Sequence, residues 1–273
     1  MKKVLNVLLV CLVSLNLLGV YTALAGETLV IKGSTTVLPV AQATAEAYMK
    51  INPGINISLS GGGSGNGIKA LIDGSTNIAT ASRFIKPKEV NLAQEKGVNP
   101  AAHRIAIDAI VPIVHPKNPV TDLTTEQLSL IYQGKIRNWK EVGGEDLKIV
   151  VVSRDTSSGT YEVWEEKILH KAKVTPRAQL QASNGAIIQT VSRNKYALGY
   201  IGLGYLNKSV RALKVNGTEA TVATALSGAY PVARPLFMYT NGQPKGIVSD
   251  FINFVVSKDG QEIVRKEGYI PLF

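Results

Sequence analysis

Residues 28–67 read TLVIKGSTTVLPVAQATAEAYMKINPGINISLSGGGSGNG, and this stretch decides the fold class. The apolar run 28–31 predicts a strand, and residues 55–59 alternate between apolar and polar as a second strand does. Between them, residues 37–50 predict a helix that ends at the Asn-Pro-Gly sequence 52–54. Short strands and helices keep alternating along the rest of the chain, which predicts an α/β fold with largely parallel sheets.

Three turns that carry hydroxyl groups and glycine each lead from a predicted strand into a predicted helix. They are GSTT (33–36), GGGSGNG (61–67) and RDTSSGT (154–160). A helix start leaves unpaired backbone N–H donors and a partial positive charge, which favour a bound anion. Arg154 adds a planar guanidinium that matches two oxygens of an oxyanion. The three turns together predict a cage for a small tetrahedral oxyanion.

Each turn also has a plainer interpretation. Ser and Thr at 33–36 are typical of an ordinary helix cap, and the same holds for the Ser-Asn-Gly sequence 183–185 before a later predicted helix. The loop 61–67 is compatible with a flexible loop that binds nothing, although its five glycines carry an entropic cost. Arg154 is also able to pair with Asp155 or another surface acid, but such a pair contributes little to stability.

The first residues of the chain predict where the protein works. Residues 1–25 are typical of a cleaved signal peptide, with a basic start at 1–3, an apolar stretch at 4–20 and the small-x-small sequence Ala-Leu-Ala at 23–25. A membrane anchor is disfavoured because that apolar stretch is shorter than the roughly 20 residues of a spanning helix. We therefore expect the mature chain to begin at Gly26 and to be a soluble protein of the periplasm, or an equivalent extracytoplasmic space, that does not span the membrane.

The charge of the chain favours an anionic partner. The formal net charge is +10, and loss of Lys2 and Lys3 with the signal peptide leaves +8. The basic residues are scattered singly without interleaved aromatic residues, so nucleic acid is a poor partner and a small anion a better one. His103, His115 and His170 lie far apart without ligand spacing, which predicts no metal, and no cofactor is indicated. No catalytic serine, histidine and acid grouping is recognisable in the sequence, so no catalytic residue is predicted.

Motifs spread over nearly the whole mature chain carry a family resemblance. They are 33–39 (GSTTVLP), the glycine loop 61–67, 81–83 (ASR), 123–139 with the Val-Gly-Gly that follows at 142–144, and 154–160. In these motifs the chain resembles the phosphate-binding proteins that serve bacterial ABC-type phosphate importers, a branch of the two-lobed periplasmic binding proteins. The resemblance implies two lobes, each a mostly parallel sheet flanked by helices, with the ligand in the cleft between them. We expect lobe 1 to comprise 26–110 and 232–273, and lobe 2 to comprise 111–231.

The resemblance also implies which residues hold phosphate. The predicted ligands are Ser34, Thr35, Thr36, Ser64, Ser82, Arg154, Ser158, Gly159 and Thr160. In well-known family members an aspartate follows the serine that matches Ser82 and accepts the proton of hydrogen phosphate, whereas this chain has Arg83 there. Asp155 is one candidate to replace that acid, and added positive charge from Arg83 that favours dianionic phosphate is the other. Both are expected beside the ligands rather than on the phosphate. The plainer interpretation of Arg83 is a residue of the hinge or of a surface salt bridge.

The predicted function is that of a phosphate receptor without catalytic activity. Each lobe carries part of the cage, so phosphate is expected to bridge the lobes and favour a closed form. The closed form would deliver phosphate to the membrane permease of an ABC importer, and we expect the receptor to be a monomer. A receptor for sulfate, molybdate or tungstate is the alternative within binding proteins. A secreted phosphoryl hydrolase is the enzymatic alternative, which would need a metal cluster or a positioned nucleophile and base.

Overall fold

The fold is built on strands that continue from one half of the chain into the other. The computed structural model describes residues 27–273, so the predicted signal peptide, 1–25, and Gly26 lie outside the described residues. The strands are β1 (Glu27–Gly33), β2 (Ile55–Gly61), β3 (Ile78–Ala81), β4 (Pro100–Val114), β5 (Asp122–Leu123), β6 (Val150–Arg154), β7 (Gln179–Gln181), β8 (Ala197–Gly202), β9 (Arg211–Ala212), β10 (Lys214–Val215) and β11 (Ala233–Asn241). The helices are α1 (Leu38–Ile51), α2 (Ser64–Ile72), α3 (Pro87–Glu95), α4 (Thr125–Tyr132), α5 (Gly159–Lys167), α6 (Asn184–Ser192), α7 (Val222–Leu226), α8 (Gly246–Val256) and α9 (Lys258–Lys266), with short 3-10 helices at Trp139–Val142 and Leu203–Tyr205.

A nine-stranded sheet has the strand order β2-β1-β3-β11-β4-β8-β6-β7, with β9 also paired to β4. Strand β1 pairs in parallel with β2 and β3, and β6 pairs in parallel with β7 and β8. The two parallel groups are joined by β11 and β4, which run antiparallel to their neighbours. The predicted α/β fold with mostly parallel sheets is therefore confirmed, and the antiparallel strands lie where the two groups connect.

Strand β4 changes partners along its length. Its residues from Pro100 to Ala109 pair with β11, and its residues from Ile110 to Val114 pair with β8. Apolar side chains dominate the second part, where every residue from Ala109 to Val114 is buried. One strand therefore runs from the first parallel group into the second.

Each parallel group has its own apolar core. The first core includes Ile31, Leu236 and Phe251, and the second is built around Trp164 and Tyr200. In the second core the Trp164 and Tyr200 rings stack with their centroids 4.4 Å apart and an interplanar angle of 9°. The two cores match the expected two-lobed architecture. We call the half with β1, β2, β3 and β11 lobe 1 and the half with β6, β7 and β8 lobe 2.

The last helical segment differs from its prediction. The pattern of residues 248–267 predicts one continuous helix, but the structure has two, α8 and α9, separated at Ser257. Ser257 has an extended backbone (φ −70°, ψ 170°), and its hydroxyl accepts a hydrogen bond from the N–H of Gly260 at 3.3 Å. Gly260 lies so close to the carbonyl groups at the end of α8 that a Cβ there would overlap them. The single long helix was therefore wrong because Ser257 caps a new helix instead of continuing the old one.

Two other helix ends differ from the sequence pattern, which predicts one helix at 67–73 and another at 158–171. Helix α2 begins at Ser64 rather than at Gly67, and α5 ends at Lys167 rather than at Lys171. The second difference follows from His170 and Lys171, whose positive φ angles of 49° and 70° are incompatible with a right-handed helix. Within residues 27–273, no helix combines the length and the apolar character needed to cross a membrane.

Candidate functional site

The three predicted anion-binding turns meet where the two lobes face each other. The hydroxyl oxygens of Thr36 in lobe 1 and Thr160 in lobe 2 lie 2.9 Å apart. The backbone N–H of Gly65 donates to the carbonyl oxygen of Ser157 across the same boundary, at 3.0 Å. Each turn follows the carboxyl end of a strand, β1, β2 or β6, which is where open α/β sheets bind ligands. The structure therefore brings the turns of both lobes into one site.

The turn after β1 keeps two threonine hydroxyls free of helix capping. Ser34, Thr35 and Thr36 are all buried. Helix α1 has Val37 at its N-cap and no side-chain hydrogen bond to the helix start, so neither threonine acts as the cap. The Ser34 hydroxyl does serve the local turn, because it accepts a hydrogen bond from the Thr36 N–H at 3.2 Å. The capping interpretation therefore does not account for Thr35 and Thr36.

The glycine loop allows a close approach of two backbones. Gly63 has a φ of 100°, in the left-handed region that favours glycine, and Ser64 follows it as the fully buried first residue of α2. The Ser64 hydroxyl accepts a hydrogen bond from the Ser82 N–H at 3.0 Å. A Cβ on Gly67 would lie 2.5 Å from the Cα of Gly33, so only glycine permits this packing. The helix starts early because its first turn packs directly on the turn after β1.

Arg154 is a buried cation without a carboxylate partner. It lies at the end of β6 and is 1% exposed. Its Nε donates to the carbonyl oxygen of Gln181 at 3.1 Å and its Nη2 to that of Ala182 at 2.9 Å. Within residues 27–273, no ion pair involves Arg154 and its buried Nη1 has no hydrogen-bond partner. Burial lowers the pKa of Arg154 below its ordinary value, as expected for a charge that lacks compensation.

The start of α5 is shaped to meet lobe 1. The Ser158 hydroxyl caps the helix by accepting a hydrogen bond from the Tyr161 N–H at 3.2 Å. Gly159 follows, and it lies directly against two serines of lobe 1. A Cβ on Gly159 would overlap the Ser64 hydroxyl oxygen and lie 2.8 Å from that of Ser82. The glycine therefore allows the first turn of α5 to reach the serine pair.

The two residues predicted to lie beside the ligands have other partners. The Asp155 carboxylate accepts hydrogen bonds from the backbone N–H and the hydroxyl of Ser157, which close its own turn. Arg83 is buried and pairs with Glu89 at 2.7 Å and Glu162 at 2.8 Å. Its positive charge is thus taken up by two carboxylates, one from each lobe. Both side chains are thus engaged by protein partners in this arrangement.

An ion pair that the sequence reasoning missed lies at the centre of the site. Asp108 of β4 faces Arg234 of β11 in the strand register, and the Arg234 Nη2 lies 2.9 Å from Asp108 Oδ2. Both side chains are almost completely buried. Arg234 also donates to the Thr160 hydroxyl at 2.9 Å and to the Ser82 carbonyl oxygen at 3.1 Å. The available signal was a single acid inside the apolar strand 106–114, which needs a buried partner.

The sequence predicts an ordinary helix cap at 183–185, and in the structure Asn184 also contacts lobe 1. Ser183 does cap α6, because its hydroxyl accepts a hydrogen bond from the Ala186 N–H at 3.1 Å. The Asn184 side chain, however, points to lobe 1. Its Nδ2 lies 3.1 Å from the Thr36 hydroxyl oxygen and 3.4 Å from that of Thr35. Capping and contact across the lobes therefore coexist in this segment.

The chemistry of the site suits an oxyanion. Its polar groups are hydroxyls, the amide of Asn184 and two guanidinium groups, all of which are able to donate hydrogen bonds. Asp108 and Asp155 are already hydrogen-bonded to protein donors. In the part of the chain that the structure describes, no group of three or more His, Cys, Asp or Glu side chains is placed to hold a metal ion.

The chain matches known proteins over most of its length. A model of the PBP superfamily domain matches residues 21–259. The phosphate-binding protein PstS of Borreliella burgdorferi is 35% identical over 285 aligned residues, which cover 100% of this chain and 99% of that protein. The phosphate-binding protein PstS of Bacillus subtilis is 32% identical over 253 residues, which cover 91% of this chain and 82% of that protein.

Solved structures are similar as well. A Clostridium perfringens protein described as a phosphate ABC transporter substrate-binding protein, with bound phosphate, has a TM-score of 0.85 at 40% identity and covers 90% of this chain and 100% of its own. An ABC-type phosphate transport receptor from Vibrio cholerae has a TM-score of 0.73 at 33% identity and covers 89% of this chain and 99% of its own. On the family model and these relatives, the chain belongs to the PBP superfamily and, within it, to the family of the phosphate-binding proteins PstS.

Proposed function

We propose that this protein is an extracytoplasmic receptor that binds inorganic phosphate between its lobes and delivers it to the permease of an ABC importer. The names of its relatives support both parts, since they describe phosphate-binding proteins and a phosphate transport receptor. The observation in this chain that carries the proposal is Arg154, a buried guanidinium whose Nη1 has no partner among residues 27–273. A bound oxyanion supplies the negative charge that such an arginine needs.

The proposed cage takes groups from both lobes. Lobe 1 contributes Ser34, Thr35, Thr36, Ser64 and Ser82, and lobe 2 contributes Arg154, Ser158, Gly159 and Thr160. The hydroxyls of Ser34 and Ser158 accept hydrogen bonds from the N–H groups of Thr36 and Tyr161, which leaves each hydroxyl proton for donation to the anion. A micromolar dissociation constant requires about 8 kcal/mol. Hydrogen bonds to a charged group contribute roughly 1.5–3 kcal/mol each, so a few of them are sufficient.

Closure of the two lobes around phosphate is part of the proposal. We place lobe 1 at 26–110 and 232–273 and lobe 2 at 111–231, because β4 changes partners between Ala109 and Ile110. The contacts between Thr36 and Thr160 join residues of different lobes, so an opening motion breaks them. Phosphate held by both lobes favours the closed form, which is the form offered to the permease.

We further propose that the protein binds phosphate without chemical turnover, acts as a monomer and reaches the periplasm after cleavage of 1–25. The donors that surround the site stabilise a bound anion, whereas a phosphoryl hydrolase needs a metal cluster or a positioned nucleophile and base. Receptors for sulfate, molybdate or tungstate would use similar donors. The names of the relatives favour phosphate over these anions.

Calorimetric titration of residues 26–273 with phosphate tests the proposal. We expect a micromolar or tighter dissociation constant for the natural sequence and no measurable binding for Arg154→Met. The variant is expected to fold, because no buried carboxylate loses its partner. Arg211→Met is the matched control, since Arg211 also donates to carbonyl oxygens in lobe 2, those of Asn118 and Val120. Absence of phosphate binding in the natural sequence, or full binding in Arg154→Met, would contradict the proposal.

A further inference from the structure

A chain of hydrogen bonds crosses the lobe boundary and ends at the Thr160 hydroxyl. Asn184 Nδ2 lies 3.1 Å from Thr36 Oγ1, and Thr36 Oγ1 lies 2.9 Å from Thr160 Oγ1. Arg234 Nη2 donates to Thr160 Oγ1 at 2.9 Å and approaches Thr36 Oγ1 at 3.4 Å. All four side chains are buried, so water does not compete freely for these groups. The protein partners of each group therefore decide which atoms donate to the two threonines.

The direction at Asn184 is fixed by the backbone. The N–H of Gly202 donates to the Asn184 side chain at 3.2 Å. A backbone N–H is only able to donate, so the amide oxygen must face Gly202 and the amide nitrogen must face the threonines. Asn184 Nδ2 is thus a donor to Thr36. The asparagine orientation follows from this network and not from its sequence position.

The direction at Arg234 is fixed by its chemistry. A guanidinium has no acceptor, so the Thr160 oxygen accepts from it. Asp108 holds the guanidinium in place through Nε at 3.2 Å and Nη2 at 2.9 Å. The two protons of Nη2 are taken by Asp108 and Thr160, so Asn184 is the fixed donor to Thr36. The remaining bond joins the two hydroxyls, and one threonine donates its proton to the other.

One hydroxyl proton remains in this chain. Thr36 and Thr160 have one hydroxyl proton each, and the bond between them uses only one of the two. Within residues 27–273, neither hydroxyl donates to any other protein acceptor. One proton of the Thr36–Thr160 pair is therefore available to an acceptor that the protein does not provide.

We propose that Asn184 and Arg234 are positioning residues that make the Thr36–Thr160 pair an obligate donor of one proton to an unprotonated oxygen of the bound tetrahedral anion. This inference rests on the proposed phosphate site and specifies a hydrogen bond that the protein donates to the anion there. The chain joins Thr36 of lobe 1 to Thr160 and Asn184 of lobe 2, so it is complete only when the lobes are closed. Closure of the lobes and donation of this proton to the anion are thereby coupled.

Asn184→Asp tests the direction of the chain. The aspartate keeps an oxygen for the Gly202 N–H but places an acceptor against Thr36, which turns both threonine protons away from the anion. We expect phosphate to bind about 100-fold more weakly in calorimetry, with the melting temperature of the phosphate-free protein nearly unchanged. The charge-matched control is Asn253→Asp on the exposed surface of α8, for which we expect natural affinity.

A double-mutant cycle separates the chain from simple charge repulsion. In a Thr36→Val background the chain is already broken, so adding Asn184→Asp should weaken binding at least about tenfold less than it does in the natural sequence. An equal loss in both backgrounds would mean that only charge repulsion acts, and would overturn the inference. Failure of the natural sequence to bind phosphate would instead overturn the proposed function, and the inference with it.

A test of the role of Arg234 requires a variant that folds. Arg234→Met alone would leave Asp108 buried and unpaired, so we combine it with Asp108→Leu to remove the pair as a whole. We expect about tenfold weaker phosphate binding in this folded double variant, because Thr160 loses its fixed donor. Natural affinity in the double variant would overturn the assignment of Arg234.

Discussion

Arg83 Nε of lobe 1 lies 2.8 Å from Glu162 Oε2 of lobe 2, and this ion pair spans the cleft between the lobes. Glu89 of lobe 1 binds the same guanidinium at 2.7 Å, and Lys86 binds Glu162 at 2.6 Å. The resemblance to well-known phosphate-binding proteins places an acid at the position of Arg83. In this chain the position carries a cation that connects the lobes, and its guanidinium lies beside Gly65 of the glycine loop.

Glu162→Gln should therefore weaken closure. We expect phosphate to bind about 3- to 10-fold more weakly and to dissociate faster, a modest loss because Glu89 still pairs with Arg83. Stopped-flow dissociation and small-angle scattering of the protein with and without phosphate would measure both effects. Glu166→Gln, one turn further along α5 and exposed, is the control. The same dissociation rate in Glu162→Gln and the control would show that this pair does not hold the lobes together.

The stability of the protein should fall in acid partly because of Glu89. Burial alone would raise the pKa of Glu89, but hydrogen bonds from Arg83 and from the Lys86 backbone N–H hold it below its ordinary value. As the pH falls, the Glu89 carboxylate therefore binds a proton in the unfolded chain before it does so in the folded protein. At neutral pH the full contribution of this carboxylate to the free energy of unfolding is present. It is lost as the pH falls from about 4.3 through the lower folded-state value.

Denaturant unfolding of the phosphate-free protein from pH 7 to pH 3 measures whether stability falls with pH as expected. The natural sequence should lose stability steeply below about pH 4.3, and Glu89→Gln should start less stable and lose less over the same range. Parallel curves for the two proteins would rule out a contribution from the Glu89 carboxylate.

Gly159→Ala should block the contact between α5 and lobe 1. The added Cβ would overlap Ser64 Oγ, so the lobes must stay further apart. Overpacking costs typically about 1–3 kcal/mol, which corresponds to a roughly 5- to 150-fold loss of phosphate affinity. Gly185→Ala is the matched control at the start of α6, where the nearest atom to a new Cβ is Ser183 Oγ at 3.8 Å. Calorimetry should find natural affinity in the control, and equal affinity in both variants would refute the contact.

The sequence was most informative where local patterns decide structure. The strand, helix and glycine pattern of residues 28–67 predicts β1, α1 and β2 close to their observed positions. Arg154 was singled out because an arginine directly before a hydroxyl-rich helix start is an unusual combination. The structure shows that it is buried without an acidic partner in the described chain, which the sequence alone was unable to establish.

Long-range pairing limited what the sequence could predict. Asp108 and Arg234 meet only because β4 and β11 are neighbours in the sheet, and nothing local to either residue reveals the other. The direction of Asn184 depends on Gly202, which also lies far along the chain. The helical pattern of the sequence likewise continues across Ser257 and does not reveal the break there. The break depends on the cap at Ser257 and on the close packing of Gly260.

The most direct test of the phosphate receptor is competition between phosphate and sulfate. Equilibrium dialysis of residues 26–273 against radiolabelled phosphate, with increasing unlabelled sulfate or phosphate, measures both affinities in one experiment. Because the relatives are described as phosphate-binding proteins, the account predicts micromolar or tighter phosphate binding and sulfate binding at least about tenfold weaker. Equal displacement of the label by sulfate and by phosphate would contradict it.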